Sequence, residues 1–288
     1  MTLPAPSPAT ARRTRADRCP GVLRPWPAAD GALVRIRLAG GLLPVRALAA
    51  LAEVAGRHGD GDVHLTGRAN LQLRGLPLEG GRLPGSVVDA VESTGLLPSR
   101  SHELARNLMC SPMTGISGGR ADLRPVVRDL DSRLCADPGL ADLPGRFLFV
   151  LDDGRGDLVD READLGAVVV GPARAQLRVG PGLGPVVALD QVAEALTELA
   201  ARFLRLRGAG PTAAWHVAEL PGTRLVDPRP PDPRLPAPTA PPATGPLDGA
   251  EHVPVPDGVL TPRLVADLVT TGRDLVVTPW RSVLVGTR

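Results

Sequence analysis

Val63-His64-Leu65-Thr66-Gly67-Arg68-Ala69-Asn70-Leu71-Gln72-Leu73-Arg74 alternates apolar and polar residues along its length. Successive side chains of a strand point to opposite faces. A single strand here puts Val63, Leu65, Ala69, Leu71 and Leu73 on one side with Gly67, and His64, Thr66, Arg68, Asn70, Gln72 and Arg74 on the other. The first face packs, and the second is a continuous row of hydrogen-bond donors. An antiparallel strand with one wet face gives the same pattern. What favours a ligand-facing row is its length and its return near the end of the chain. Val276-Val277-Thr278-Pro279-Trp280-Arg281-Ser282-Val283-Leu284-Val285 aligns on the first stretch with one inserted residue. A repeat of this kind implies two halves that pair around one site, with a polar row from each suited to a polyanion.

Upstream, Leu33-Val34-Arg35-Ile36-Arg37-Leu38 alternates like a strand and Gly40-Gly41 breaks it. Pro44 to His58 then reads as a helix with Val45, Leu48, Leu51 and Ala52 on one stripe. Strand, helix and the strand from Asp62 to Arg74 make a β-α-β unit of ferredoxin-like size. Downstream, the pattern predicts helices over Pro84–Ser93, Asp122–Ala136 and Leu189 to about Leu206, and strands over Phe147–Asp152, Gly166–Gly171 and Ala175–Val179. Ser101 to Gly119 reads as loop-rich. Prolines crowd Pro228–Pro246, an extended, semi-rigid linker. Beyond it, a short helix at Thr261–Thr270 and a strand at Asp274–Val285 repeat the first plan.

The expected fold is therefore α+β, with ferredoxin-like half-domains flanking a mixed α/β catalytic-type domain. The divisions expected are a disordered Pro/Ala/Arg-rich leader at 1–29, a first half-domain at 30–85, an α+β domain at 86–227, the linker at 228–247, and a second half-domain, complete or incomplete, at 248–288.

Composition narrows the chemistry. With 288 residues and 43% apolar content the chain can bury a real core, and Leu, Val and Ala must fill it because Tyr is absent. All 33 basic residues are Arg, so no lysine Schiff base is available and every cation is a planar fork suited to carboxylate or phosphate. A formal net charge of +2 makes no case for nucleic acid. No segment has the length of apolar residues expected of a membrane helix, and no secretory signal pattern opens the chain. A soluble protein of the reducing cytoplasm is expected. Cys19, Cys110 and Cys135 are too far apart for a disulfide framework or a zinc knuckle, and the histidines form no close ligand pair. Cys110 reads as a small buried apolar residue or as a group facing the site, and His64 as a satisfied strand histidine or a ligand contact.

Leu65-Thr66-Gly67-Arg68-Ala69-Asn70-Leu71-Gln72 resembles the Leu-Thr-x-Arg-x-Asn-x-Gln strand of nitrite and sulfite reductases. Ala105-Arg106-Asn107-Leu108 is similar to their Arg-Asn-(Val/Ile) motif, and Leu143-Pro144-Gly145-Arg146-Phe147 to their Leu-Pro-(Arg/Lys)-Lys-Phe segment. All three occur in order. Phe147-Leu148-Phe149-Val150-Leu151-Asp152-Asp153-Gly154-Arg155-Gly156-Asp157, with Thr278-Pro279-Trp280-Arg281, resembles the precorrin-3B synthase branch. The resemblance covers roughly 30–288 and implies an oxidoreductase of corrin biosynthesis acting on a precorrin-type tetrapyrrole. It also implies sites for that ligand at Arg68, Asn70, Gln72, Arg106, Asn107, Arg146 and Arg281. Catalytic residues and metal ligands are not assigned.

The family implies iron and a [4Fe–4S] cluster, with sirohaem in the wider superfamily, but three cysteines cannot supply four thiolates. The readings left open are a precorrin-3B synthase-like monooxygenase, a truncated tetrapyrrole-binding protein without catalysis, and a fragment of a sirohaem-dependent sulfite or nitrite reductase. Leu148 in place of a second cation disfavours the last. The electron donor is unassigned, and a partner chain carrying cluster cysteines would complete the first.

Overall fold

The computed structural model describes residues 17–220 and 225–287. The first sheet takes β1 (Trp26–Ala28) and β2 (Gly31–Ile36). After a tight turn at Ala39–Gly41 come β3 (Leu42–Leu43), helix α1 (Val45–His58), β4 (Val63–Leu65), β5 (Leu71–Leu76) and α2 (Gly85–Ser93). A middle unit follows with β6 (Leu108–Cys110), α3 (Arg124–Ala136), β7 (Phe149–Asp152), β8 (Leu165–Gly171), β9 (Arg174–Val179), β10 (Gly182–Ala188) and α4 (Val192–Leu206). The last unit has β11 (Gly245–Leu247), β12 (Ala250–Pro254), a turn at Pro256–Gly258, β13 (Val259–Leu260), α5 (Pro262–Thr270), β14 (Leu275–Val277) and β15 (Ser282–Gly286). The α+β class and ferredoxin-like plan expected from sequence are the observed ones.

Among the described residues the strands form three five-stranded sheets, in the orders β1-β2-β5-β4-β13, β10-β9-β8-β7-β6 and β11-β12-β15-β14-β3. The first and third exchange strands. β13 pairs antiparallel with β4 (Val259 opposite His64), and β3 pairs antiparallel with β14 (Leu43 opposite Leu275). The two half-domains are therefore stitched together reciprocally, as the internal repeat implied, and α1, α2 and α5 pack with both sheets into one apolar core. In the middle sheet β6, β7 and β8 run parallel, while β9 and β10 return antiparallel. One face carries Phe149, Leu151 and Leu165 into a core with α3 and α4, where Phe147 sits 5.3 Å from Phe149 and 4.8 Å from Phe203. Met109, Leu148, Val150 and Leu158 form a separate apolar cluster.

Three expectations change. The stretch 62–74 is not one strand but a hairpin, with Leu65 opposite Leu71 and a turn between them. The Thr66 amide donates to Asn70 O and its Oγ1 accepts the Asn70 amide at 3.2 Å, while Ala69 takes φ 55°. The second hairpin is built the same way: Thr278 N donates to Ser282 O, Thr278 Oγ1 accepts the Ser282 amide at 3.3 Å, and Arg281 takes φ 58°. Matched turn by turn, the repeat needs no insertion, and Arg281 corresponds to Ala69 rather than to Arg68. The leader was expected to be disordered to residue 29; residues 1–16 lie outside the described residues, but from Asp17 the chain is docked. Cys19 and Val22 are buried, and the Glu103 carboxylate accepts the amides of Val22 and Leu23 at 2.6 and 3.0 Å. Sparse anchors in a Pro/Ala/Arg background hid this, because the acceptor is supplied from 81 residues away. The loop-rich stretch 101–119 contains β6, a short strand buried on both faces that alternation cannot reveal.

Candidate functional site

Between the first sheet, the second half-domain and the loop after β7 lies an open cleft of about 780 Å³, within the range of small-molecule sites. Its floor follows from strand register. Arg35 of β2 stands opposite Gln72 of β5, and Gln72 opposite His64 of β4, so the three lie side by side across neighbouring strands. Arg68 comes from the first hairpin turn, Arg74 from β5, Arg281 from the matched turn of the second half, and Asp257 from the Pro256–Gly258 turn. Met109 and Leu148, 1% and 7% exposed, lie beneath the lining, and Asp160, Arg161 and Glu162 form the opposite rim.

The charges in this cleft are differently occupied. His64 Nε2 is held 2.8 Å from Asp60 Oδ2, and Arg74 pairs with Asp30 at 3.1 Å. Arg68 Nη1 donates to the Arg146 carbonyl at 3.1 Å. Among the described residues Arg35 and Arg281 have no side-chain hydrogen bond or ion pair, and Arg35 Nε is buried without a partner. Burial pushes the Arg35 pKa down, and the charges of Arg68 and Arg146 act in the same direction. An incoming carboxylate would reverse that penalty, since a fork with open donors binds it bidentately.

Of the residues expected at the site, Arg68, Gln72 and Arg281 line the cleft together. The other four are placed elsewhere. The turn after Thr66 flips Asn70 inward, where its Oδ1 accepts the Leu38 amide at 2.9 Å. Arg106 is buried with Nε and Nη2 on Asp131 of α3 at 2.7 and 2.8 Å. Asn107 accepts from Arg37 Nε at 2.9 Å and donates to Gly145 O at 2.8 Å, so it fastens the first sheet to the middle unit. Arg146 lies over the Trp215 ring, 5.4 Å from its centroid. Cys110 is a core residue, 2% exposed, whose thiol is pushed well up by burial and then by nearby aspartates. Sequence reasoning missed Arg35, Asp257 and the rim at 160–162. For Arg35 the signal was present: it alternates with Val34 and Ile36 on a strand that must pair with the polar row.

Among the described residues no three His, Cys, Asp or Glu side chains converge to hold a metal ion. The three cysteines in the whole chain also fall short of a four-thiolate cluster, so that donor set does not fit. The unpaired guanidinium groups of Arg35 and Arg281 have the chemistry to hold carboxylate arms of the kind a tetrapyrrole bears.

Residues 27–80 match the nitrite/sulfite reductase ferredoxin-like half domain. A ferredoxin–nitrite reductase of Leptolyngbya laminosa is 32% identical over 137 residues, 45% of this chain and 26% of that protein. A precorrin-3B synthase of a Sinorhizobium species is 31% identical over 147 residues, 50% of this chain and 30% of that one. The structure of Mycobacterium tuberculosis NirA superposes with a TM-score of 0.65 at 19% identity, over 88% of this chain and 53% of NirA. Residues 27–80 thus carry the nitrite/sulfite reductase ferredoxin-like half domain, and the chain as a whole shares its fold with NirA. It spans about half of NirA and under a third of the curated relatives it matches. The superfamily's half-domain model lies over the hairpin that supplies Arg68 and Gln72 and over β2 with Arg35. No helix among the described residues is long and apolar enough to cross a membrane.

Proposed function

We propose that the cleft binds a polycarboxylated tetrapyrrole of the precorrin class, and that the chain is the macrocycle-binding part of an oxidoreductase of corrin biosynthesis resembling precorrin-3B synthase. One observation carries this reading: Arg35 and Arg281, from opposite half-domains, present unpaired guanidinium groups to one cleft, with Arg68 between sheet and middle unit. A macrocycle bearing acetate and propionate arms matches such divergent forks. Sirohaem carries carboxylates of the same kind, and the same arginines would hold it; bound there it would supply a redox iron. The three cysteines of this chain do not supply the four thiolates of a cluster. A partner polypeptide supplying four thiolates, and an electron donor to it, would complete the oxidoreductase.

A non-catalytic tetrapyrrole-binding role is favoured by the same cysteine shortfall. Iron and acid-labile sulfide analysis of the chain isolated together with its partner polypeptides separates the two, since a four-iron cluster in that complex would exclude it. The binding proposal itself is tested by absorbance titration with an octacarboxylate porphyrin against its methyl ester. Micromolar binding of the acid and none of the ester is expected; equal binding of both would refute the arginine-based reading.

A further inference from the structure

Asp152-Asp153-Gly154-Arg155-Gly156-Asp157-Leu158 opens the loop that ends in the cleft rim at Asp160–Glu162. Its three carboxylates are withdrawn from water: Asp152 and Asp153 are 0% exposed and the Asp157 side chain 3%. Asp152 is spent on the backbone, accepting the amides of Gly154, Gly156 and Leu158 at 2.8, 3.0 and 2.9 Å. Asp153 is spent on Arg155, at 2.9 Å from Nε and 2.7 Å from Nη2. Asp157 has no such cation; Arg155 Nε stays 3.9 Å away. Its partner is Ser111 at the end of β6, whose Oγ donates to Asp157 Oδ1 at 2.6 Å and accepts the Asp153 amide at 3.1 Å.

The loop is held from two other sides. Arg178 of β9 donates to the carbonyls of Leu158 and Arg161, at 3.2 and 2.7 Å, and so fixes the rim. The proline-rich segment crosses over Gly156, where Thr239 N donates to Gly156 O at 3.0 Å and a side chain on Gly156 would strike the Ala237 carbonyl. Arg120 anchors that segment through the Arg234 carbonyl. Asp157 thus sits where sheet, rim loop and the segment leading to the second half-domain meet.

We propose that Asp157, seated on Ser111, is a proton switch for the cleft: protonated, it keeps the loop packed as a wall, and its ionisation loosens the rim and weakens ligand binding. The consequence for ligand rests on the tetrapyrrole reading; the loosening of the loop does not. Asp152, Asp153 and the one guanidinium of Arg155 already leave this buried cluster with an excess negative charge, and ionisation of Asp157 adds another that only Arg155, 3.9 Å away and engaged by Asp153, can partly offset. Burial first, and then Asp152 and Asp153, push the Asp157 pKa up to about 7, against the lowering effects of the Ser111 bond and Arg155. Arg178 feels the charges of Asp152 and Asp160 rather than that of Asp157, and Cys110 at the end of β6 adds no charge, its thiol being pushed well above its ordinary value by burial.

The sign follows from proton binding. An aspartate with a folded value of about 7 against an ordinary 3.8 keeps its proton in the native state after the unfolded chain has lost it. Its stabilising contribution is full below the ordinary value and is lost as pH rises to about 7.

The test is hydrogen exchange of the full chain, without ligand, from pH 5.5 to 8.5, corrected for intrinsic rates. Protection of peptides spanning 152–164 is expected to fall at least about tenfold relative to β8 and β9 between pH 5.5 and about 7 and to level off above it. Asp157→Asn is expected to abolish that fall. Ser111→Ala removes a bond that favours the charged form, so its transition moves to higher pH. A flat wild-type profile, or a transition unmoved in Ser111→Ala, overturns the proposal even if Asp157→Asn does not fold. With an octacarboxylate porphyrin, wild-type affinity is expected to weaken more between pH 6 and 8.5 than that of Asp157→Asn. Absence of porphyrin binding at either pH would overturn the tetrapyrrole reading, while the exchange profile still decides the switch.

Discussion

Three arginines that look alike in sequence do different work. Arg35 and Arg281 keep open donors at the cleft, whereas Arg106 is consumed by Asp131. Arg35→Ala is expected to weaken porphyrin binding roughly tenfold, the worth of one charge-assisted pair, with little change in melting temperature; titration and calorimetry check both halves. Arg106→Ala should do the reverse. It strands Asp131, which is partly solvated at 21% exposure, so about 2 kcal/mol of stability is expected to go, visible as a lower urea midpoint at unchanged porphyrin affinity. Sequence alone could not separate these cases. Motif resemblance marks Arg106 and Asn107, but their partners, Asp131 and Arg37, lie 25 and 70 residues away. Arg68 and Gln72 were legible from the polar alternation of 63–74, whereas Arg281 was reached through an alignment on Arg68 that the paired turns replace with Ala69.

At the scale of elements, helices were read well and turns poorly. The stripe of Leu48 and Leu51 predicts α1 to within a residue, since burial of one face is what makes it a helix. The hairpin within 62–74 escaped because alternation continues through its turn, and only a left-handed residue, Ala69, reveals the reversal. The two-residue strands β3 and β13 carry no pattern at all; they exist by pairing across the repeat. Gly41 prepares one of these crossings. It takes φ 78°, and an added Cβ would strike the Val277 carbonyl of β14. Gly41→Ala is therefore expected to cost about 2 kcal/mol or more, a fall of roughly 4–8 °C in a thermal melt. An unchanged melt would mean that the crossing tolerates a left-handed alanine.

For the whole molecule, reciprocal strand exchange makes the half-domains one cooperative body with a shared apolar core. A single transition reported both by Trp280 fluorescence and by exchange in β2 and β5 is expected, and two separated transitions would contradict the stitched core. That body brings Arg35 from the first half and Arg281 from the second to the same cleft, 246 positions apart in sequence. The account stands on that convergence. Its most direct test is the affinity of an octacarboxylate porphyrin for wild type, each single variant, and Arg35→Ala/Arg281→Ala together. A loss of about tenfold for each change and about a hundredfold for the pair is predicted, as for two independent arms gripped from opposite halves; wild-type affinity in the double variant would contradict it.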